Sequence, residues 1–190
     1  MTPLMSRLPR LRSVPFALAA VSLLTTAPLA AQEVASGPGP LEFFGFRPGA
    51  PLREIAARVR ALDGGTLRCD RARADRRVTE CRGSVVDPDA GTHVNLWLSA
   101  IDSVAAVLTL SGEVAPDQLD LWRESLEENY GRVGAKAQGK QWMMQWVRRG
   151  TMARLTWRVA RNEREASVSL VDGHVLDGWG RERARTSRGG

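Results

Sequence analysis

Apolar positions along this chain follow three rhythms. The first is helical. Leu52, Ile55, Ala56, Val59 and Leu62 fall on one face, while Arg53, Arg58 and Arg60 point elsewhere. Pro51 suits a first turn and Gly64 or Gly65 a stop, so the pattern predicts an amphipathic helix between them. The same rhythm returns after Pro116, where Leu119, Trp122, Leu126 and Tyr130 make a face that Gly131 closes. Asp117 and Asp120 favour the positive end of that second helix, and Asp120, Glu124, Glu127 and Glu128 leave its solvent side acidic.

The second rhythm is alternation, the mark of strands. It predicts short strands at 42–46, 67–69, 77–81, 93–98, 104–110 and 166–171, with a turn cluster over 87–91 and a break at Asp102-Ser103. The clearest hairpin joins 142–147 to 151–157 about Arg149-Gly150, pairing 148 with 151, 146 with 153, 144 with 155 and 142 with 157. In this register Trp142, Met144, Trp146, Ala153, Leu155 and Trp157 share one face. Met143, Gln145, Met152, Arg154 and Arg158 share the other, and a one-residue slip would scramble both. The Trp/Met face reads as core, with a recognition surface as the alternative. If the sheet is open on the other side, Met143, Gln145, Met152, Arg154 and Arg158 form its contact surface.

The element order is β-α-β-β-β twice, over about 42–98 and 104–171. The expected fold is α+β: an antiparallel sheet with two helices on one face, a tandem pseudo-repeat within a single domain at 42–180.

The third rhythm is unbroken. Ser13 to Ala27 carries no charge, follows Arg7, Arg10 and Arg12, and leads into a small-residue region ending at Ala30-Ala31. This predicts a signal peptide over 1–31 and export to the periplasm or beyond. The run is short for a membrane span, and no later segment is apolar for long enough. Residues 32–41 read as a flexible Gly/Pro-rich leader and 181–190 as a disordered basic tail. The formal charge of +6 shrinks accordingly, because 32–180 holds 20 basic and 20 acidic residues. Nucleic acid is disfavoured as a partner by export.

Cys69 and Cys81 flank an arginine-rich loop, and in an oxidising space they are expected to pair. Their spacing lacks the CxxC form of a redox or metal pair, and no His is near.

The stretch Gly45, Phe46, Arg47, Pro48, Gly49, Ala50, Pro51, Leu52, Arg53, Glu54 and Ile55 resembles the start of small exported αβββ modules. Two such families are the tandem-repeat beta-lactamase inhibitor proteins and the small outer-membrane-assembly lipoproteins. Only the first half of this chain holds cysteines, whereas the inhibitors carry a disulfide in each repeat. The acylated Cys of the lipoproteins is missing. The resemblance implies protein binding in the envelope or outside the cell, and transfers no functional residue.

Catalytic chemistry is thinly marked. No G-x-S-x-G, H-E-x-x-H or GxxxxGK[ST] occurs, and no cofactor or metal is expected. His93 opens a strand and His174 lies in a turn, and a periplasmic hydrolase-like site needs one of them beside a carboxylate. A third reading is an anionic envelope polymer held by the hairpin from Arg68 to Arg82, through Arg71, Arg73, Arg76 and Arg77. The leading expectation is a non-enzymatic exported module that binds a protein or envelope partner.

Overall fold

The computed structural model describes residues 39–160 and 163–188. The predicted signal peptide and residues 32–38 of the predicted leader lie outside the described residues. Helix α1 spans Leu52–Ala61, and strands β1 (Arg68–Arg71), β2 (Val78–Val86), β3 (His93–Ile101) and β4 (Val104–Val114) follow as a meander. Helix α2 (Pro116–Tyr130) opens a second meander, β5 (Lys136–Gln138), β6 (Gln141–Arg148), β7 (Thr151–Ala160) and β8 (Glu163–Asp172). Helix α3, Gly173–Arg188, follows. All strands join one antiparallel sheet in the order β1-β2-β3-β4-β8-β7-β6-β5. The two meanders therefore meet at β4 and β8, and the short strands β1 and β5 form the edges.

The α+β class is as the alternation predicts, but the repeat is cut differently. The sequence reading begins the second half with the strand at 104–110. In the structure that strand is β4 and belongs to the first meander, because Asp102 and Ser103 both take positive φ (48° and 66°) and close a tight hairpin with β3. Each half is thus α-β-β-β-β. The strand expected at 42–46 is instead a tight turn. Phe44 (φ 51°) and Gly45 (φ 72°) reverse the chain so that Phe43 bridges Phe46. β5, only 3 residues long, carries too little pattern to be read beforehand.

Helices α1 and α2 cover the same face. Ile55 and Val59 of α1, with Leu119, Trp122 and Leu126 of α2, share one core with Leu96, Leu98, Leu108, Leu110, Leu155 and Leu170. These strand residues alternate with exposed or half-buried ones, as a sheet with one covered face requires. Fully burying each such side chain contributes about 1.5–3 kcal/mol. The 43–46 turn plugs this core: the rings of Phe43 and Phe44 meet Trp122 edge-on, at 5.4 and 5.9 Å. The hairpin β6–β7 has the predicted register, with Trp142 opposite Trp157 and Trp146 opposite Ala153. Its turn sits at Arg149 (φ 45°) and Gly150 (φ 77°).

The end of the chain departs most from its sequence reading. The sequence reading puts His174 in a turn and disorder over 181–190, yet 173–188 is helix. Asp172 Oδ1 accepts the Val175 N–H at 3.0 Å and so caps the first turn. The Gly173 N–H reaches the Gly150 carbonyl at 2.8 Å. Beyond them the Arg, Glu and Ala residues of 181–185 are good helix formers, which a reading weighted by charge and glycine undervalues.

Candidate functional site

With α1 and α2 on one face, every second strand residue looks away from them. Because the register is unbroken across β4, β8, β7 and β6, these residues line up in rows across the sheet. One row runs Arg68, Arg82, Trp97, Thr109, Ser169, Arg154, Gln145. The next runs Ser84, Asn95, Ser111, Ser167, Thr156, Met143. Successive members stand roughly 4.8 Å apart, the spacing of strands. Hydroxyls bridge neighbours, Thr109 to Ser169 at 3.0 Å and Thr156 to Ser167 at 2.7 Å. A shallow groove of about 710 Å³ opens over this face, lined by His93, Asn95, Glu113, Thr156, Arg158 and Ser167 among others.

The five residues expected as a contact face, Met143, Gln145, Met152, Arg154 and Arg158, all lie on this side. They are organised by mutual contacts. The Arg154 guanidinium donates twice to Gln145 Oε1, at 3.0 and 2.7 Å, and approaches Met152 Sδ at 3.7 Å. Arg158 pairs with Glu165 of β8. The Trp/Met face lies on the helix side: Met144 and Trp146 are buried and Trp157 packs against the core, but Trp142, stacked on Trp157, is 43% exposed.

Cys69 and Cys81 are register partners and are disulfide-bonded. The arginines that follow do not converge. Arg71 is on the edge strand with the parity of Cys69, and Arg73 and Arg76 are exposed in the loop. Arg77 is taken up by Asp75 and by Glu182 of α3. Asp75 also accepts the Trp179 indole N–H at 2.9 Å. That bond, with the backbone N–H and guanidinium of Arg77, holds the Asp75 carboxyl below its ordinary pKa.

The two histidines stand apart. His93 begins β3 and shares the groove with Glu113 and Glu165. His174 starts α3 and contacts the Arg149 carbonyl through Nε2 at 2.9 Å. Its ring crowds Gly150 so closely that a side chain there would collide with it. Among the described residues, no group of three or more His, Cys, Asp or Glu is placed to hold a metal ion.

Sequence reasoning missed Arg68, Arg82, Trp97, Glu113 and Glu165 as members of this face. Alternation assigns each to one side of its own strand, but only the pairing of β4 with β8 joins the halves into one surface. It also took Asp87 for a turn residue alone. Asp87 does shape the turn, accepting the N–H groups of Asp89 (2.9 Å) and Ala90 (3.1 Å). Its other oxygen accepts from Gln118 and Trp122 of α2, each at 2.7 Å, so it ties the β2–β3 turn to that helix.

Comparison with protein-family models, curated proteins and solved structures finds no match to this chain.

Proposed function

We propose that this chain is a non-catalytic module of the exported space that docks a protein partner on the open face of its sheet. The observation that carries this reading is the contrast between the two faces. One is sealed by α1 and α2 over a continuous core, and the other is a continuous field of Arg, Asp, Glu, Ser, Thr, Asn and Gln side chains around Trp97. Trp and Arg are the side chains that most often anchor interfaces. Arg154 is held in place by Gln145, which lowers the ordering cost of an encounter.

Export is supported by the charge and apolar pattern of 1–31 and by the Cys69–Cys81 disulfide. Among the described residues no helix is long and apolar enough to cross a membrane. The resemblance of residues 45–55 to exported αβββ modules implies the same kind of role.

A photoreactive residue placed at Gln145 tests this reading in the native envelope, with one at Glu124 on the exposed side of α2 as control. The expected result is a protein adduct of one defined mass from position 145 and none from 124. Equal adducts from both positions overturn it. So does turnover of a small substrate that vanishes in His93→Ala, since His93 shares the groove with Glu113 and Glu165.

A further inference from the structure

We propose that the β1–β2 end of the open face recognises a partner polypeptide in which acidic and basic side chains alternate two residues apart, and that it rejects a uniform polyanion. The proposal rests on the protein-docking reading and names the chemistry of that partner.

The register of the edge hairpin carries it. Arg68 lies directly opposite Arg82, and one step along the strands Asp70 lies directly opposite Glu80. Like charges directly opposite each other destabilise a sheet, and two such rows in succession are an arrangement that exchanging one residue of each row would relieve. All four side chains are exposed. Among the described residues, none of the four has an ion-pair partner within 4.0 Å. They share the face with Trp97, which stands beside Arg82, and Ser99, which stands beside Glu80.

The two rows are separated by two residues of strand, about 6.7 Å. An extended partner segment repeats its own side chains at that interval. It can set a carboxylate on the arginine row and an ammonium or guanidinium on the acidic row, with an apolar stem or ring against Trp97. A run of acids gains the first contact and suffers repulsion at the second, which is how specificity is built from an opposing charge. This geometry favours a protein over the anionic polymer of the third sequence reading, and places recognition on Arg68 and Arg82 rather than Arg71, Arg73, Arg76 and Arg77.

The test measures fluorescence anisotropy of the whole chain with three labelled probes at low salt: a Glu-Thr-Lys-Thr peptide repeated three times, a Glu-Thr peptide repeated six times, and a heparin decasaccharide. The mixed-charge peptide is expected to bind tightest. R68A/R82A is expected to weaken it about tenfold, since two exposed charge pairs are lost. R71A/R73A leaves it unchanged, and D70A/E80A raises binding of the Glu-Thr peptide and of heparin. Arg82→Gln, with its melting curve, guards against a folding defect in the double variant. Tighter binding of either polyanion, no binding of the mixed-charge peptide, or indifference to R68A/R82A overturns the proposal. If position 145 still yields its adduct in that case, the docking reading stands and only this inference falls.

Discussion

Trp122 donates its indole N–H to the Asp87 carboxylate at 2.7 Å, and both side chains are fully buried. The carboxylate receives four hydrogen bonds, two from its own turn and two from α2. A buried carboxylate without an opposite charge is tolerated only when its oxygens are satisfied in this way.

Asp87→Ala leaves the donors of Trp122 and Gln118 without that acceptor. The expected loss is roughly 3 kcal/mol, from stranded buried donors and the cavity. Urea denaturation with an unchanged m-value checks it. A loss below about 1 kcal/mol means that α2 does not depend on this carboxylate.

The Tyr130 hydroxyl holds the segment before α1. It accepts the Glu42 N–H at 2.7 Å and donates to the Glu42 carbonyl at 2.9 Å. Arg148 stacks 5.1 Å from its ring and donates to its carbonyl at 2.9 Å. Tyr130→Phe keeps the ring and the cation–π contact but strands the Glu42 backbone. The expected cost is about 1–2 kcal/mol, seen with faster hydrogen exchange at 42–46. Burial raises the Tyr130 pKa, followed by smaller influences of Glu42 and Arg148. The neutral ring's contribution is therefore complete below pH about 10, the ordinary tyrosine value, and declines as pH rises past it.

Helix α3 is expected to loosen in acid. The Asp75 pKa is lowered first by the Trp179 indole and then by Arg77, so its charged form is the one the folded chain favours. That contribution is present above the ordinary value near 3.9 and disappears as pH falls through the lowered one. The protection factors of amides 173–185, taken relative to the intrinsic exchange rate at each pH, should therefore fall at acid pH. Asp75→Asn should show the lower protection already at neutral pH; if both forms respond alike, this carboxylate does not hold the helix.

Reducing the Cys69–Cys81 bond, which spans a sequence separation of 12, should cost about 3 kcal/mol in the chain-entropy model. β1 is a 4-residue edge strand with every residue exposed, so little else holds it. The loss should appear first as faster exchange at 68–71, and thermal melts of C69S/C81S measure its size. Unchanged protection of β1 after reduction would show that strand pairing alone secures it.

Local chemistry was legible from the chain. Pro51 and Pro116 stand at the starts of α1 and α2, and the faces of both helices follow their apolar spacing. Arg149-Gly150 marks a turn that only residues tolerant of positive φ make easily, so the β6–β7 register followed from two residues and a parity. The contact-face residues could be placed on one side for the same reason: a strand's side chains alternate with period two whatever lies around it.

Tertiary structure decided what no local rule encodes. Whether β4 pairs with β3 alone or also with β8 depends on burying apolar surface between segments some sixty residues apart. That pairing makes one eight-stranded face from two meanders. The Asp172 cap and the bonds of Trp179 and Arg77 come from side chains meeting across the fold, so glycines that read as turns sit inside α3. The sequence by itself determined the helices, most of the strands and the side to which each residue points, because those depend on neighbours a few residues away. Which rows those residues form, and which charges face each other unpaired, was decided by strand order and register. These are set by the free energy of the whole core.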